Sequence, residues 1–103
     1  MDVYFRNIYL DRLFQGLSNP GKPKYNENVV KLFRQRIRLL QNLQNTKELK
    51  LFRGLNFEAL KGQKRGLYSI RIDKKYRLEF KIEKNVIALS EIVFIEDLSN
   101  HYK

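Results

Sequence analysis

Two amphipathic segments joined by a short turn constrain the fold more than any other feature of this sequence. Apolar and polar residues alternate from Tyr68 to Ile72 and again from Tyr76 to Ile82. A period of two is typical of a β-strand with one buried face, so each run predicts a strand, with the turn at Asp73–Lys75. The pair therefore predicts a hairpin with one apolar and one polar face.

Two pairings of these strands keep both apolar rows on one face, because side-chain direction alternates along a strand. The first places Arg71 opposite Arg77, a like-charge pair that is unfavourable by roughly 0.2–1 kcal/mol unless an anion bridges it. The second places Asp73 opposite Arg77 and Arg71 opposite Glu79, which neutralises the polar face internally. The sequence leaves both registers open.

The segment around this hairpin carries most of the positive charge. Residues 61–77 hold seven cationic side chains and one acid, which accounts for six of the ten net positive charges of the chain. The cations are Lys61, Lys64, Arg65, Arg71, Lys74, Lys75 and Arg77. Such a charge concentration indicates a partner that carries phosphates.

Length and composition indicate one globular domain over residues 1–103. A chain of 103 residues with 43% hydrophobic and 31% charged residues buries enough surface for one core. The absence of cysteine excludes disulfides, thiolate zinc sites and cysteine nucleophiles. No apolar run approaches the ~18 residues of a membrane span, and no leader segment is recognisable, so we expect a cytoplasmic protein without membrane contact.

The first half of the sequence predicts one strand and two or three helices. A strand is predicted over Asp2–Ile8 and one or two helical turns over Leu10–Gln15. Asn26 is a good N-cap for the longest helix, whose apolar stripe is Val30, Phe33, Ile37 and Leu40, widened by Val29, Leu32 and Leu43. A shorter helix over Lys47–Phe52 is expected to be capped by Thr46 and closed by Gly54.

The last third predicts a further strand. We expect a turn at Glu83–Asn85, followed by a central strand over Val86–Ile95 that is covered on both faces, because nearly every residue there is apolar. The order of elements predicts an α+β fold with an N-terminal strand, two to three helices on one face of an antiparallel sheet, and a C-terminal three-stranded meander. The uncovered face would carry Arg71 and Arg77.

The longest predicted helix carries four cations, at Lys31, Arg34, Arg36 and Arg38, and no acid between Glu27 and Glu48. Two interpretations remain open for them. They form either a solvated helix face or a second contact strip for a polyanion.

Most catalytic templates are absent from this sequence. There is no cysteine, no histidine pair, no glycine-rich phosphate loop and no Gly-x-Ser-x-Gly. What the residues allow is cleavage of a phosphodiester without cofactor or metal: a base deprotonates a ribose 2′-hydroxyl, cations stabilise the phosphorus centre, and an acid protonates the leaving 5′-oxygen. Candidate proton-transfer groups are His101, Tyr102, Glu58, Glu96 and Asp97.

Several motifs in the last half of the chain resemble the HigB-type toxins of the RelE/ParE superfamily. They are Leu60-Lys61-Gly62 with Gly66, Tyr68-Ser69-Ile70-Arg71-Ile72, Tyr76-Arg77-Leu78 with Phe80, and Glu91-Ile92-Val93. The first half agrees only in length and order of elements. The resemblance implies the toxin of a type II toxin–antitoxin pair, which enters the ribosomal A site and cleaves mRNA without a metal.

The resemblance also implies a partner and a set of site residues. The partner is a HigA-like helix-turn-helix antitoxin, through which alone operator DNA would be contacted. Lys61 and Arg77 match phosphate-facing family positions, and Arg71 belongs to the same motif. We therefore expect Lys61 and Arg77 to be catalytic, joined by His101 and Tyr102 for proton transfer if these two residues fold back towards them. Lys64, Arg65, Arg71, Lys74 and Lys75 are expected to bind RNA.

Two departures from the family pattern concern proton transfer. Glu58 stands three residues before Lys61, where the family often has a histidine. Many members end in an Asp-Tyr-His cluster directly after the last strand, whereas here His101 and Tyr102 come later. The alternatives to a nuclease are an inhibitor of the ParE kind that acts on gyrase by protein contacts, and a basic RNA- or ribosome-binding module without cleavage.

Overall fold

The computed structural model describes residues 1–100 as a five-stranded sheet with two α-helices. The helices are α1 (Ile8–Gln15) and α2 (Glu27–Asn42). The strands are β1 (Asp2–Phe5), β2 (Glu58–Ala59), β3 (Tyr68–Arg71), β4 (Arg77–Asn85) and β5 (Ser90–Ser99). Three 3₁₀ segments lie at Thr46–Leu51, Arg53–Leu55 and Gly62–Lys64. The expected α+β class is confirmed.

The sheet order is β1-β5-β4-β3-β2. Strands β3, β4 and β5 form the predicted antiparallel meander, and β2 adds a short antiparallel edge. β1 pairs with β5 in parallel, so the sheet is mixed. The prediction of a wholly antiparallel sheet was wrong on this point. A parallel pair needs a long crossover, which α1, α2 and the strands that follow them provide.

Each α-helix begins after an asparagine that caps it, and of the two caps the sequence pattern predicted only Asn26. The Asn26 Oδ1 atom accepts a hydrogen bond from the Val29 N–H at 2.8 Å, as expected for the cap of α2. The Asn7 side chain likewise caps α1, at 3.1 Å from the Leu10 amide nitrogen. Gly16 ends α1 at φ 77°, a left-handed conformation in which glycine carries no steric penalty.

The core lies between the helices and one face of the sheet. The stripe of α2 supplies Val29, Phe33, Ile37 and Leu40, all with no exposed surface. The sheet supplies Ile70, Leu78, Phe80, Val93 and Ile95, also fully buried. Ile70, Leu78 and Phe80 belong to the alternating apolar rows of the sequence pattern, so in β3 and β4 the alternation correctly predicted the covered face.

The turn between β4 and β5 lies later than predicted. β4 runs through residues 83–85, and the turn occupies residues 86–89, so the strand predicted over Val86–Ile95 is instead β5 over Ser90–Ser99. The prediction was wrong because it assigned aliphatic residues to a buried strand, whereas those of this turn are exposed. The helices cover only one face of β5, and Ile92 and Phe94 on its other face are partly buried.

Two predictions in the first half also need correction. The N-terminal strand ends at Phe5, because Asn7 begins the cap of α1. Thr46 does not cap an α-helix over Lys47–Phe52; it begins a 3₁₀ segment, and its N–H and Oγ1 donate to the Glu91 carboxylate at 2.7 and 2.8 Å. A long-range contact thus replaces the local cap.

We predict that Asn26→Ala lowers the free energy of unfolding by about 1 kcal/mol, because the Val29 N–H loses its acceptor at the first turn of α2. Urea denaturation followed by circular dichroism measures this. Asn28→Ala is the matched control, since Asn28 is exposed in the same turn and alanine favours the helix. Equal losses in the two variants would contradict the capping role.

Candidate nucleic-acid interface

The pairing of β3 with β4 decides the geometry of the basic region. Arg71 lies opposite Arg77, Ser69 opposite Glu79, and Ile70 opposite Leu78. This is the like-charge register, not the neutralised one. Two guanidinium groups are therefore attached to directly paired backbone positions on the face away from the helices, an arrangement that favours an anion between or beside them.

Arg77 is nearly buried, with 9% of the surface of the residue exposed. Its Nε donates to Ser69 Oγ at 2.8 Å, and its Nη2 donates to the Asn56 carbonyl oxygen and lies 3.6 Å from Glu58 Oε1. The sequence predicts an exposed Arg77 on the uncovered sheet face, and this prediction is wrong. Instead, the segment that leads into β2 covers part of that face, and Arg77 joins β4, β3 and this segment.

A second buried charge lies beside Arg77 on β4. Glu79 is 2% exposed, and its Oε2 accepts a hydrogen bond from Lys64 Nζ at 2.6 Å. Lys64 therefore has a structural partner, and its charge is compensated locally. The Arg77 contacts therefore join the segment before β2 to the sheet, and the Lys64 contact joins the β2–β3 loop to it.

The loop between β2 and β3 presents Lys61 and Arg65 to solvent. It is closed by the Leu60 N–H, which donates to the Leu67 carbonyl at 2.9 Å, and by a 3₁₀ turn at Gly62–Lys64. Gly62 and Gly66 have φ values of 67° and 96°, which L-residues with a side chain rarely adopt. The Leu-Lys-Gly spacing therefore has a local cause: glycine permits the turn directly after Lys61.

Lys74 and Lys75 lie at the opposite end of β3 from Lys61 and Arg65. They occupy the turn predicted at Asp73–Lys75, where Asp73 Oδ1 accepts from the Lys75 and Tyr76 N–H groups at 2.8 and 2.7 Å. Both lysines are exposed. Four strand residues correspond to about 13 Å, so the cations predicted as one cluster form two, one at each end of β3.

The cations of α2 divide between structural and solvated side chains. The Arg34 guanidinium donates twice to the Leu13 carbonyl, at 3.0 and 3.1 Å, and Arg36 Nε donates to the Arg71 carbonyl at 3.2 Å. Burial lowers the pKa of Arg36 from its usual value. Lys31 and Arg38 are exposed, and the Arg38 guanidinium lies 5.9 Å from the Phe14 ring centroid. A contact strip along α2 is therefore limited to these two residues.

The groups proposed for proton transfer do not all lie at the basic face. Glu58 is adjacent to Arg77, whereas Glu96 pairs with Arg6 at 3.6 Å. Asp97 accepts a hydrogen bond from the Leu98 N–H. It also lies near Tyr25, where burial, as the larger cause, and the negative charge of Asp97 raise the pKa of the tyrosine to about 12. His101 and Tyr102 lie outside the described residues.

Three residues of this site were missed by sequence reasoning. Ser69 and the Asn56 carbonyl orient Arg77, and Glu79 orients Lys64. The sequence could have indicated an ion pair for Glu79, because this acid lies on the polar row of β4 between Arg77 and Lys81. The sequence could not indicate the Asn56 carbonyl as a partner of Arg77. Every residue has a backbone carbonyl, and only the course of the folded chain decides which one lies near the guanidinium group.

Two cavities of the described chain are lined by none of the cations that the sequence predicts to form the site. One of about 760 Å³ lies beside the β4–β5 turn, and one of about 290 Å³ lies beside Phe52 and Phe57. Among residues 1–100, no group of three or more histidine, cysteine or carboxylate side chains is placed to hold a metal ion. No helix in the same range is long and apolar enough to cross a membrane.

The chain is similar to known toxins in sequence and in structure. A family model described as the RelE-like toxin HigB of type II toxin–antitoxin systems matches residues 3–92. The YoeB/ParE toxin from Agrobacterium tumefaciens matches over 99% of this chain and 100% of its own, with a TM-score of 0.59 and 19% identity.

Two further solved structures have the same fold. YafQ from E. coli strain BL21(DE3) matches over 97% of this chain and 92% of its own, with a TM-score of 0.58 and 14% identity. The YoeB–YefM complex from Staphylococcus aureus matches over 99% of this chain and 98% of the matched chain, with a TM-score of 0.56 and 18% identity. These likenesses confirm the expected RelE/ParE-like fold.

We predict that Arg77→Ala lowers the free energy of unfolding by about 1–3 kcal/mol, because the buried acceptors around Arg77 lose their donor. Chemical denaturation measures the change. Lys74→Ala is the control, because Lys74 is exposed and has no ion pair among residues 1–100; its effect is expected within about 0.5 kcal/mol. An Arg77→Ala protein as stable as the wild type would contradict the structural role.

Proposed function

Because the chain belongs to the HigB-like family of RelE-like toxins of type II toxin–antitoxin systems, we propose that it is an endoribonuclease that cleaves mRNA in the ribosomal A site and so inhibits translation. The observation that supports this most is the pairing of Arg71 with Arg77 on the face away from the helices. It concentrates positive charge on one sheet face, where a phosphodiester would be bound.

In the proposed reaction the ribose 2′-hydroxyl attacks the adjacent phosphorus atom while a base removes its proton. The 5′-oxygen of the next nucleotide leaves and receives a proton from an acid, so that no water is consumed in this step. Lys61 and Arg77 stabilise the charge that develops on the equatorial phosphate oxygens. Arg77 suits this role, because its contacts to Ser69 and Asn56 hold the guanidinium in place before RNA binds.

The remaining cations have auxiliary roles in this proposal. Arg71, Arg65, Lys74 and Lys75 bind the RNA backbone on either side of the cleaved bond, and Lys64 positions the loop through Glu79. His101 and Tyr102 supply the acid and base, and Glu58 is the further candidate because it lies 3.6 Å from Arg77. No metal ion or cofactor takes part in the proposed step.

The proposal includes an antitoxin. A type II family implies one, and the YoeB–YefM complex is a toxin of the same fold together with a second protein. We propose a HigA-like helix-turn-helix partner that neutralises this chain and alone contacts operator DNA. The toxin would act on ribosomes and mRNA in the cytoplasm.

We predict that expression of this chain in bacteria creates new 5′-hydroxyl ends within translated reading frames and that Lys61→Ala lowers their yield at least 100-fold. Lys61 is exposed and without an ion pair among residues 1–100, so its removal leaves the fold intact. Mapping of 5′ ends on a translated message measures the yield. Lys22→Ala is the matched control, because Lys22 is an exposed lysine of the loop between α1 and α2.

The same experiment separates the nuclease from its alternatives. Growth arrest with intact messages would favour an inhibitor of the ParE kind or a binding module. Cleavage that persists unchanged in Lys61→Ala would reject the site assignment but keep the activity. Arg77→Ala is less decisive, since it also destabilises the fold.

We further predict that His101→Ala lowers the rate of cleavage on purified ribosomes by a larger factor than it lowers binding to them, because an acid or base acts on the reacting atoms. Single-turnover rates and binding constants at several pH values measure both quantities. Loss of one limb of the pH–rate profile identifies His101 as the titrating group. An unchanged profile would assign that role to Tyr102 or Glu58.

A further inference from the structure

The turn between β4 and β5 exposes an unusual number of aliphatic side chains. Val86, Ile87 and Leu89 are 79%, 98% and 93% exposed, and they lie within four consecutive residues. The Asn85 side chain accepts a hydrogen bond from the Ala88 N–H at 3.1 Å, which shapes the turn locally. A cluster of large aliphatic groups at the end of a hairpin indicates a surface that another chain covers.

The backbone of this turn supports the same interpretation. Leu89 has a φ of 53°, in the left-handed region, where glycine or asparagine is ordinarily preferred. The sequence therefore places leucine where both solvent exposure and backbone conformation disfavour it. Unfavourable backbone conformations of this kind concentrate at functional positions.

A groove adjoins the aliphatic turn. It has a volume of about 760 Å³ and lies between the turn and the chain at residues 44–47, with Lys47, Lys84, Val86 and Leu89 among its lining residues. The two hydrogen bonds from Thr46 to the Glu91 carboxylate join one wall of the groove to β5. These tertiary hydrogen bonds therefore hold this wall of the groove in place.

Two lysines give the groove a positive rim. Lys47 and Lys84 are exposed, and neither forms an ion pair among residues 1–100. Lys84 lies opposite Glu91 in the register, but the Glu91 carboxylate accepts hydrogen bonds from Thr46 instead. A partner that fits both features carries aliphatic side chains next to carboxylates.

We propose that the β4–β5 turn and its groove form the docking surface for an aliphatic and acidic segment of the antitoxin. This inference rests on the proposed function for the existence of that partner. The surface is distinct from the proposed nuclease site, because Arg77 and Asn85 stand at opposite ends of β4, about 26 Å apart along the strand. Substitutions at the turn therefore leave cleavage unchanged.

The first test compares Ile87→Asp with the wild type for binding to the purified antitoxin by calorimetry. We expect at least 30-fold weaker binding, because a carboxylate replaces an aliphatic contact and repels acidic groups. Ile8→Asp is the matched control, since Ile8 is an exposed isoleucine at the first position of α1, where an acid is favourable. Its affinity is expected within 3-fold of the wild type.

A second test uses the strain at Leu89. Leu89→Gly relieves the left-handed conformation, so we expect its thermal midpoint to rise while its affinity for the antitoxin falls at least 10-fold. If Leu89 had only a structural role, thermal stability and antitoxin affinity would not change in opposite directions.

The contribution of the positive rim is measured with the Lys47→Glu and Lys84→Glu double variant. We expect this variant to bind the antitoxin more weakly, and we expect its binding to depend less on salt concentration.

Three results would overturn the proposal. One is an Ile87→Asp protein that binds the antitoxin as tightly as the wild type. Another is a Leu89→Gly protein with unchanged affinity. The third is the finding that the wild type forms a dimer, that Ile87→Asp is monomeric, and that both bind the antitoxin equally well. This result would assign the surface to a second copy of this chain.

The failure of the proposed function is recognised separately. If the wild type binds and is neutralised by the antitoxin but cleaves no message, the nuclease is rejected while the docking surface stands. In cells, Ile87→Asp should cleave messages as the wild type does, without being neutralised. A variant that lost cleavage together with neutralisation would contradict the separation of the two surfaces.

Discussion

The register between β3 and β4 is the constraint on which the basic face depends. It places Arg71 opposite Arg77 instead of pairing each with an acid, and Glu79 opposite Ser69. The apparent repulsion is reduced because each guanidinium has its own oxygen acceptors: the Asp73 carbonyl for Arg71, and Ser69 and Asn56 for Arg77. Like charges at paired positions are thus held by neighbouring backbone and hydroxyl groups.

The same contacts connect structure to the proposed chemistry. Arg77 joins two strands and the segment before β2, so the group proposed to stabilise the cleaved phosphate is also a structural element. Lys64 has a comparable structural contact with Glu79. Lys61 and Arg65, in contrast, project from a loop whose shape depends on Gly62 and Gly66. Rigid and exposed cations together suit the binding of a phosphodiester in a defined position.

The long β4 strand separates two functions in these proposals. Its first residue, Arg77, belongs to the basic face, and its last residue, Asn85, begins the aliphatic turn. A partner anchored at the turn would leave the Arg77 contacts in place. The Thr46–Glu91 contact stabilises the groove wall independently of the nuclease site, since it joins the 3₁₀ segment after α2 to β5.

Local patterns were sufficient for most elements of this fold. The period-two rows of β3 and β4, the Asn26 cap and the stripe of α2 all appear in the structure, because each depends on residues close in sequence. The β4–β5 turn was misplaced, because a run of aliphatic residues is typical of a buried strand, whereas Val86, Ile87 and Leu89 are exposed in the structure. The parallel pairing of β1 with β5 was missed, since it joins the two ends of the chain.

The sequence by itself determined where the positive charge lies and which strand face each cation occupies, because side-chain direction follows directly from alternation. Only the tertiary structure decided which cations are exposed. Arg77, Arg34 and Arg36 donate to carbonyl oxygens that the folded chain brings to them, whereas Lys61 and Lys74 remain in solvent. The physical reason is that burial and hydrogen-bond partners depend on distant segments, and no local pattern records where those segments come to lie.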